Sequence, residues 1–242
     1  MPYQWSFRSQ NVSGAVLAGK LRCTVLICLI VACTGCTAVK RWAYEGFNRD
    51  AWQHPEQVVE ALKIRPGESV ADLGSGSGYF AFRLAKAVGR TGKVYAIDID
   101  ADMNAYVSAR AREQRYENIE VVLSKPHDPL LQESSVDLIF TCNTYHHLVD
   151  RASYFANAAK YLRPSGRIAI LDFNEKAWLM KFLGHATAGE VIKREMQEAG
   201  YALDQEFHFL PKQAFLIFSR NQKKAEGPHA GELWATRNVS RR

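Results

Sequence analysis

Two carboxylates and three alternating glycines carry the clearest chemistry in this 242-residue chain. The stretch Val70-Ala71-Asp72-Leu73-Gly74-Ser75-Gly76-Ser77-Gly78-Tyr79-Phe80 reads as an apolar strand, a tight turn and the start of a helix. Glycines at alternate positions admit backbone conformations that a Cβ forbids, and let a ligand approach the free N–H groups of a helix start. Pyrophosphate sites use this device with the spacing G-x-G-x-x-G. Here the spacing is G-x-G-x-G, and Asp72 stands two residues ahead of the first glycine. A carboxylate at that point repels a diphosphate and attracts an ammonium group. The expected ligand is therefore S-adenosylmethionine, whose sulfonium and amino groups are cationic and which carries no phosphate. Val94-Tyr95-Ala96-Ile97-Asp98 ends in a second carboxylate 20 residues past Gly78, where an acid accepts hydrogen bonds from both ribose hydroxyls. Asp72, Gly74, Ser75, Gly76, Gly78 and Asp98 are the candidate cofactor-binding residues of this half of the site.

Methyl transfer from a sulfonium is an in-line displacement on a donor that its own charge already activates. The protein must position the reacting atoms and, for an acceptor with a tightly held proton, supply a base. Asn143-Thr144-Tyr145-His146-His147, directly after the apolar run Val136 to Cys142, is the best group for that work. His146 and His147 are candidate bases, and Tyr145 and Asn143 candidate cavity-lining residues, with Asn143 also counted toward the cofactor. The alternative is that one histidine caps a helix beginning near Asp150 while the other packs. Asp172 and Asn174 are rim candidates. No metal site is expected.

Stepping from these residues to the elements that hold them, Pro55 to Leu62 has helical spacing of Val58, Val59 and Leu62. Strands are expected near Ser69 to Leu73, up to Asp98, Ile119 to Leu123, Val136 to Cys142 and Arg167 to Phe173. Helices are expected near Tyr79 to Val88, Ala101 to Glu113, Ala152 to Leu162 and Gly189 to Ala199. Short apolar runs separated by helices mark buried parallel strands with crossovers. Tyr201 to Leu210 and Gln213 to Ser219 are separated only by Pro211-Lys212, which suits a hairpin and not a crossover. The expected fold class is α/β: a Rossmann-like, doubly wound, mostly parallel seven-stranded sheet with an antiparallel C-terminal strand.

From about Gln53 to Ser219 the chain resembles the class I S-adenosylmethionine-dependent methyltransferases, in the broad group that includes ubiquinone-type and small-molecule enzymes. Val70 to Gly78 is similar to the first motif of that family and Val94 to Asp98 to its acidic second strand. Ser135 to Asn143 is similar to the fourth-strand motif, and Leu162 to Asp172 to the turn and strand that follow. The resemblance implies an acidic residue after strand three against the adenine amino group. Asp128, in Ser124-Lys125-Pro126-His127-Asp128, is the candidate, although Lys125 stands where the family pattern has the acid. It identifies the cofactor and not the acceptor: a small molecule or lipid-like compound is expected, with a quinone or a protein side chain also open. Arsenic methylation by some relatives uses several cysteines around the acceptor, and only Cys142 is available here.

The remaining features concern placement. Cys23 to Val39 contains no charge and follows Lys20 and Arg22, and Ile30-Val31-Ala32-Cys33 resembles a lipoprotein processing box. The organisation expected is a signal, lipoprotein-like or anchor segment at 1–39, a linker or lid at 40–52, a methyltransferase domain at 53–220 and a basic flexible tail at 221–242. Trp42, Tyr44, Phe47 and Trp52 would either fold over the cofactor as a lid or pack as a linker against the membrane surface. Membrane association follows from the first segment, yet an exported domain is separated from a donor made in the cytoplasm. An anchor that leaves the domain on the donor's side, another route for the donor, or a later true start would each resolve this. The net charge of +6 is dispersed, which argues against nucleic acid, a partner that needs a concentrated basic stripe. A silent S-adenosylmethionine-binding protein and a nicotinamide oxidoreductase are the alternatives.

Overall fold

The structure is a computed structural model in which residues 48–221 are described. The segment expected to be a signal or anchor, residues 40–47 of the linker with Trp42, Tyr44 and Phe47, and the tail beyond Asn221 lie outside the described residues. No helix among the described residues is long and apolar enough to cross a membrane.

Two short helices, α1 (Arg49–Gln53) and α2 (Pro55–Ala61), precede the sheet. There follow β1 (Ser69–Leu73), α3 (Ala81–Val88), β2 (Lys93–Asp98), α4 (Ala101–Glu113), β3 (Ile119–Leu123), β4 (Val136–Cys142) and α5 (Arg151–Ala158). The chain then runs through β5 (Leu162–Phe173), α6 (Trp178–Phe182), α7 (Gly189–Glu198), β6 (Tyr201–Phe207) and β7 (Gln213–Arg220). The seven strands lie in the order β3-β2-β1-β4-β5-β7-β6. Pairs β1–β2, β1–β4, β2–β3 and β4–β5 are parallel, while β7 runs against both of its neighbours.

Successive side chains of a strand leave on opposite faces, and two apolar clusters form on that alternation. Val70, Val94, Ala96, Leu138 and Phe140 pack with Phe82, Leu84 and Val88 of α3 and Val107 of α4. Their sequence neighbours Ala71, Ile97 and Ile139 pack on the other face with Tyr154 and Phe155 of α5 and Ile192 and Met196 of α7. Each fully buried Leu, Ile or Phe contributes about 1.5–3 kcal/mol relative to exposure. The sheet is thereby covered on both sides, as parallel sheets require.

Three expectations are corrected. The helix expected to reach Leu162 ends at Ala158 and closes with a 3-10 turn, Ala159–Tyr161, the tightening common where the last carbonyls lack partners. The fifth strand starts five residues early. Leu162 pairs with Val136 and Arg167 with Leu138, so Arg163-Pro164-Ser165-Gly166 forms an irregularity inside the strand, one of the few sheet positions that proline tolerates. The hairpin between β6 and β7 is longer than two residues because Leu210 is buried and Phe209 packs beside it.

At the amino ends of the strands, buried Glu68 accepts hydrogen bonds from Arg65 at 2.9 Å and Arg167 at 3.0 Å. Burial pushes the Glu68 carboxyl upward, but the two guanidinium groups outweigh it and hold the acid below its ordinary range. Truncating one partner of such a pair leaves a buried charge uncompensated. Arg167→Ala is expected to lower stability by about 3 kcal/mol, read as a reduced urea midpoint. Because the acid is held low in the fold, the deficit is largest above the ordinary carboxylate range and shrinks as pH falls through it.

Candidate active site

In an open α/β sheet, ligands bind beyond the carboxyl ends of the strands, at the point where strand order reverses. Here that point lies between β1 and β4. Leu73, Asp98, Cys142 and Phe173 end β1, β2, β4 and β5, so the loops carrying the candidate residues all leave from this edge.

The turn after β1 has positive φ at Gly74 (76°), Gly76 (51°) and Gly78 (80°). A Cβ on Gly74 would stand 2.1 Å from Thr144 Oγ1, so this turn touches the loop after β4. Gly74 and Ser75 donate their N–H groups to the Ile97 carbonyl at 2.8 and 3.0 Å. Gly76 donates to Asp98 Oδ2 at 2.8 Å, and Asp98 Oδ1 accepts from the Asp100 N–H at 2.9 Å. Each oxygen of a carboxylate has two lone pairs. Asp98 therefore ties the turn to β2 and keeps acceptor capacity for a pair of hydroxyls.

Asp72 is 2% exposed, and its Oδ2 has no hydrogen-bond partner; the buried hydroxyls of Ser75 and Ser77 have none either. Orphaned buried polar atoms are uncommon and ask for a reason. Burial raises the Asp72 pKa to about 7, with Arg49 pulling it down, Asp98 pushing it up and the Ala81 N–H again lowering it. A buried carboxylate in this condition gains most from a cation. Three open acceptors beside a glycine turn into which a ligand backbone can settle fit the amino-acid end and ribose of S-adenosylmethionine.

The site has a cover that pattern reading did not resolve. Residues 48–52 belong to the expected linker or lid, and α1, which runs through them to Gln53, places Arg49 3.8 Å above the Tyr79 ring. Trp52 stacks on Phe173 at 5.7 Å. Gln53, fully buried, donates to Cys142 Sγ at 3.1 Å and to Gln213 Oε1 at 3.2 Å, and Gln213 donates to Asn143 Oδ1 at 2.8 Å. A cavity of about 460 Å³ opens beside Ser77 and Tyr79, walled by Arg49, Arg83 and Arg110. Five residues without an amphipathic repeat give no periodic signal; the polar residues Arg49 and Gln53 one helical turn apart were the available hint.

The loop after β4 forms a 3-10 turn, Tyr145–His147. His146 is clasped twice by the fully buried Asp172: its N–H donates to Oδ2 at 3.1 Å and its Nδ1 lies 2.7 Å from Oδ1. His147 is exposed, and its pKa is lowered by desolvation and then by the neighbouring His146 and His185, with Asp172 opposing. His185, absent from the candidates because it follows Gly184 in an aperiodic stretch, places Nδ1 3.2 Å from His146 Nε2.

One expected lining role is corrected. Tyr145 is fully buried, stacked on Phe155, with its hydroxyl donating to Glu195 at 2.6 Å; it is a core residue because the 3-10 turn points it inward. Asp128 Oδ1 accepts from the Tyr161 hydroxyl at 2.5 Å and the Leu130 N–H at 2.8 Å, which fixes the carboxylate after β3. The helix-capping role considered for a histidine belongs to Asp150, which accepts from the Ser153 N–H. Asn174 caps the next turn, accepting from the Lys176 N–H at 2.9 Å.

Residues 64–213 match the family model described as methyltransferase domain. The chain belongs to that methyltransferase family. Its members use S-adenosylmethionine, the ligand that Asp72 and the glycine turn fit. A 2-phytyl-1,4-naphtoquinone methyltransferase of Trichormus variabilis is 29% identical over 142 residues, covering 55% of this chain and 57% of that protein. An arsenite methyltransferase of Halobacterium salinarum is 34% identical over 115 residues, covering 47% and 29%. The chain thus spans less than two thirds of the length of these relatives. A crystal structure of an S-adenosylmethionine-dependent methyltransferase from Aquifex aeolicus shares the fold with a TM-score of 0.67 and 22% identity, covering 74% of this chain and 96% of that one. Family membership and the reversed β7 set aside the nicotinamide alternative.

The methyltransferase fold buries Asp72 at a cost that disappears when the acid is neutral. Since its pKa is raised on folding, its contribution is fully favourable below the unfolded value near 3.8 and is lost as pH climbs through about 7. Asp72→Asn is expected to raise the melting temperature of the ligand-free protein at pH 8 and to change it little at pH 5, by differential scanning fluorimetry. Gly74→Ala is expected to misfold or to lose donor binding, because both Thr144 and the positive φ oppose it.

Proposed function

We propose that this chain transfers a methyl group from S-adenosylmethionine to an apolar small-molecule or lipid-like acceptor. The observation that carries the reading is the buried, partnerless Asp72 oxygen beside the Gly74–Gly78 turn. Asp72 holds the ammonium of the donor, Arg49 is the nearest cation for its carboxylate, and Asp98 takes the ribose hydroxyls. The acceptor lies toward His146 and His147. There the acceptor atom forms a bond to the methyl carbon as the carbon–sulfur bond breaks, and its electron pair leaves on sulfur as a neutral thioether. The proton lost by the acceptor passes to His147, which its surroundings keep neutral and which is open to solvent.

Two observations support an apolar acceptor. Trp178, Phe182 and Leu183 are 73%, 83% and 55% exposed in and just after α6, immediately before His185, and exposed aromatic groups at a site edge mark binding surfaces. The Trichormus relative is a naphthoquinone methyltransferase by name. Cys142 does not suit arsenic chemistry: it is the one cysteine among the described residues and is buried, so it cannot supply the several thiols that hold the metalloid. The uncharged stretch from Cys23 to Val39 supports attachment to a membrane, with Cys33 the acylated residue, a reading that rests on the sequence alone.

The test is incubation of the full chain with methyl-labelled donor and a reduced naphthoquinone, then with fractionated membrane extract. Label in an extractable small molecule is expected, and no label in any fraction despite donor binding would reject the proposal. Asp98→Ala is expected to weaken donor affinity about tenfold or more by calorimetry, the scale of about 1.4 kcal/mol for lost hydroxyl hydrogen bonds. If His147 is the base, kcat falls on an acidic limb below the ordinary histidine range, and His147→Gln abolishes that limb.

A further inference from the structure

We propose that His146 Nε2, His185 Nδ1 and a ring nitrogen of His147 form a site for one divalent transition-metal ion of the zinc class. Its fourth position is left open to an oxygen donor. Only the identity of that oxygen, an acceptor hydroxyl, rests on the proposed function; the site itself does not.

The geometry is that of a facial three-nitrogen set. One ligating atom from each imidazole lies within 4.8 Å of the other two. The ring centroids stand 4.1 Å apart for His146–His147 and 5.1 Å apart for both pairs involving His185. A tetrahedral zinc ion with bonds of about 2.0–2.1 Å sets its nitrogens roughly 3.3 Å apart. His146 Nε2 and His185 Nδ1 already stand at 3.2 Å, and His147, exposed on its short turn, has only to rotate toward them.

The surroundings supply what a ligating histidine needs. His146 gives its Nδ1 to the buried Asp172, which leaves the Nε2 lone pair facing the cluster, and Asp172 is fixed by its second contact, to the His146 N–H. A carboxylate behind a ligand imidazole sets the tautomer and strengthens the ligand. His185 is held by its own N–H to the Met180 carbonyl at 2.7 Å. Three imidazoles drawn from two distant loops otherwise crowd groups that repel one another once protonated. A bound ion would occupy the His147 lone pair and lower the pKa of a hydroxyl in the fourth position, so in the metal-bound chain the proton leaves to water, and His147 serves as base only in the metal-free one.

The experiment uses untagged full-length protein, stripped with chelator and dialysed. It is titrated with Zn²⁺ by calorimetry and with Co²⁺ by visible absorption, in the absence of donor and acceptor. One ion per chain is expected, with the intense visible bands of four-coordinate Co²⁺. His185→Ala, a change in a loop outside the sheet, is expected to abolish both signals while the melting temperature stays near wild type. Asp172→Asn is expected to weaken binding 10- to 100-fold, as roughly seen for such supporting carboxylates. Uptake below one equivalent, or uptake unchanged in His185→Ala, would overturn the site. Methyl transfer by the stripped protein is measured alongside: transfer without metal uptake removes this inference alone, and metal uptake without transfer removes only the proposed function.

Discussion

Withdrawing a carboxylate from water at the end of β1 and leaving one of its oxygens without a partner is the constraint on which this domain is built. Asp72 sits between strands that are buried on both faces, so no water relaxes its charge, and its pKa drifts up to about 7. A fold tolerates such an expense where a ligand relieves it. The neighbours are arranged accordingly. Asp98 clamps the glycine turn through the Gly76 N–H, Arg49 brings positive charge from above, and Ser75 and Ser77 keep their hydroxyls uncommitted. An acid and a guanidinium thus act on one another beside the glycine turn, so this end of the site carries both signs of charge.

The sheet was largely readable in the chain because its strands are short apolar runs that end in chemistry. Ser69 to Leu73, Ile119 to Leu123 and Val136 to Cys142 have the bounds expected from pattern alone, and the spacing of Asp72, the glycines and Asp98 placed those residues at one edge. Features that depend on tertiary packing were not readable. The excursion at Arg163 to Gly166 is decided by how β5 registers on β4, and the inward turn of Tyr145 by the pocket that Phe155 and Glu195 provide. The Tyr161 hydroxyl that holds Asp128 comes from 33 residues away, a contact that no local pattern gives. His185 escaped for the same reason. Its partners are 38 and 39 residues distant, and nothing in a loop without period announces a contact across the sheet.

The two halves of the edge differ in electrostatic character. On the donor side, two acids are buried and one of them, Asp72, has an oxygen without a partner. On the other side, Asp172 is buried but fully engaged by His146, and the basicity of His147 is lowered by desolvation and then by its two imidazole neighbours. A positively charged donor is drawn to the first region, and a group able to give up a proton is served by the second. Gln53, Cys142, Gln213 and Asn143 run between them as a chain of neutral polar contacts, which keeps the halves aligned without adding charge.

Where the turn after β1 meets the loop after β4, Gly74 leaves so little space that a single added carbon would overlap the Thr144 side chain. Positions 74 and 144 consequently share one volume, and a change at either is a change at both. Trimming Thr144 would free room without relieving the left-handed backbone at Gly74, so the glycine cannot be rescued by its neighbour. The approach of the glycine turn to the loop after β4 is therefore set by the pair of residues together and by neither alone.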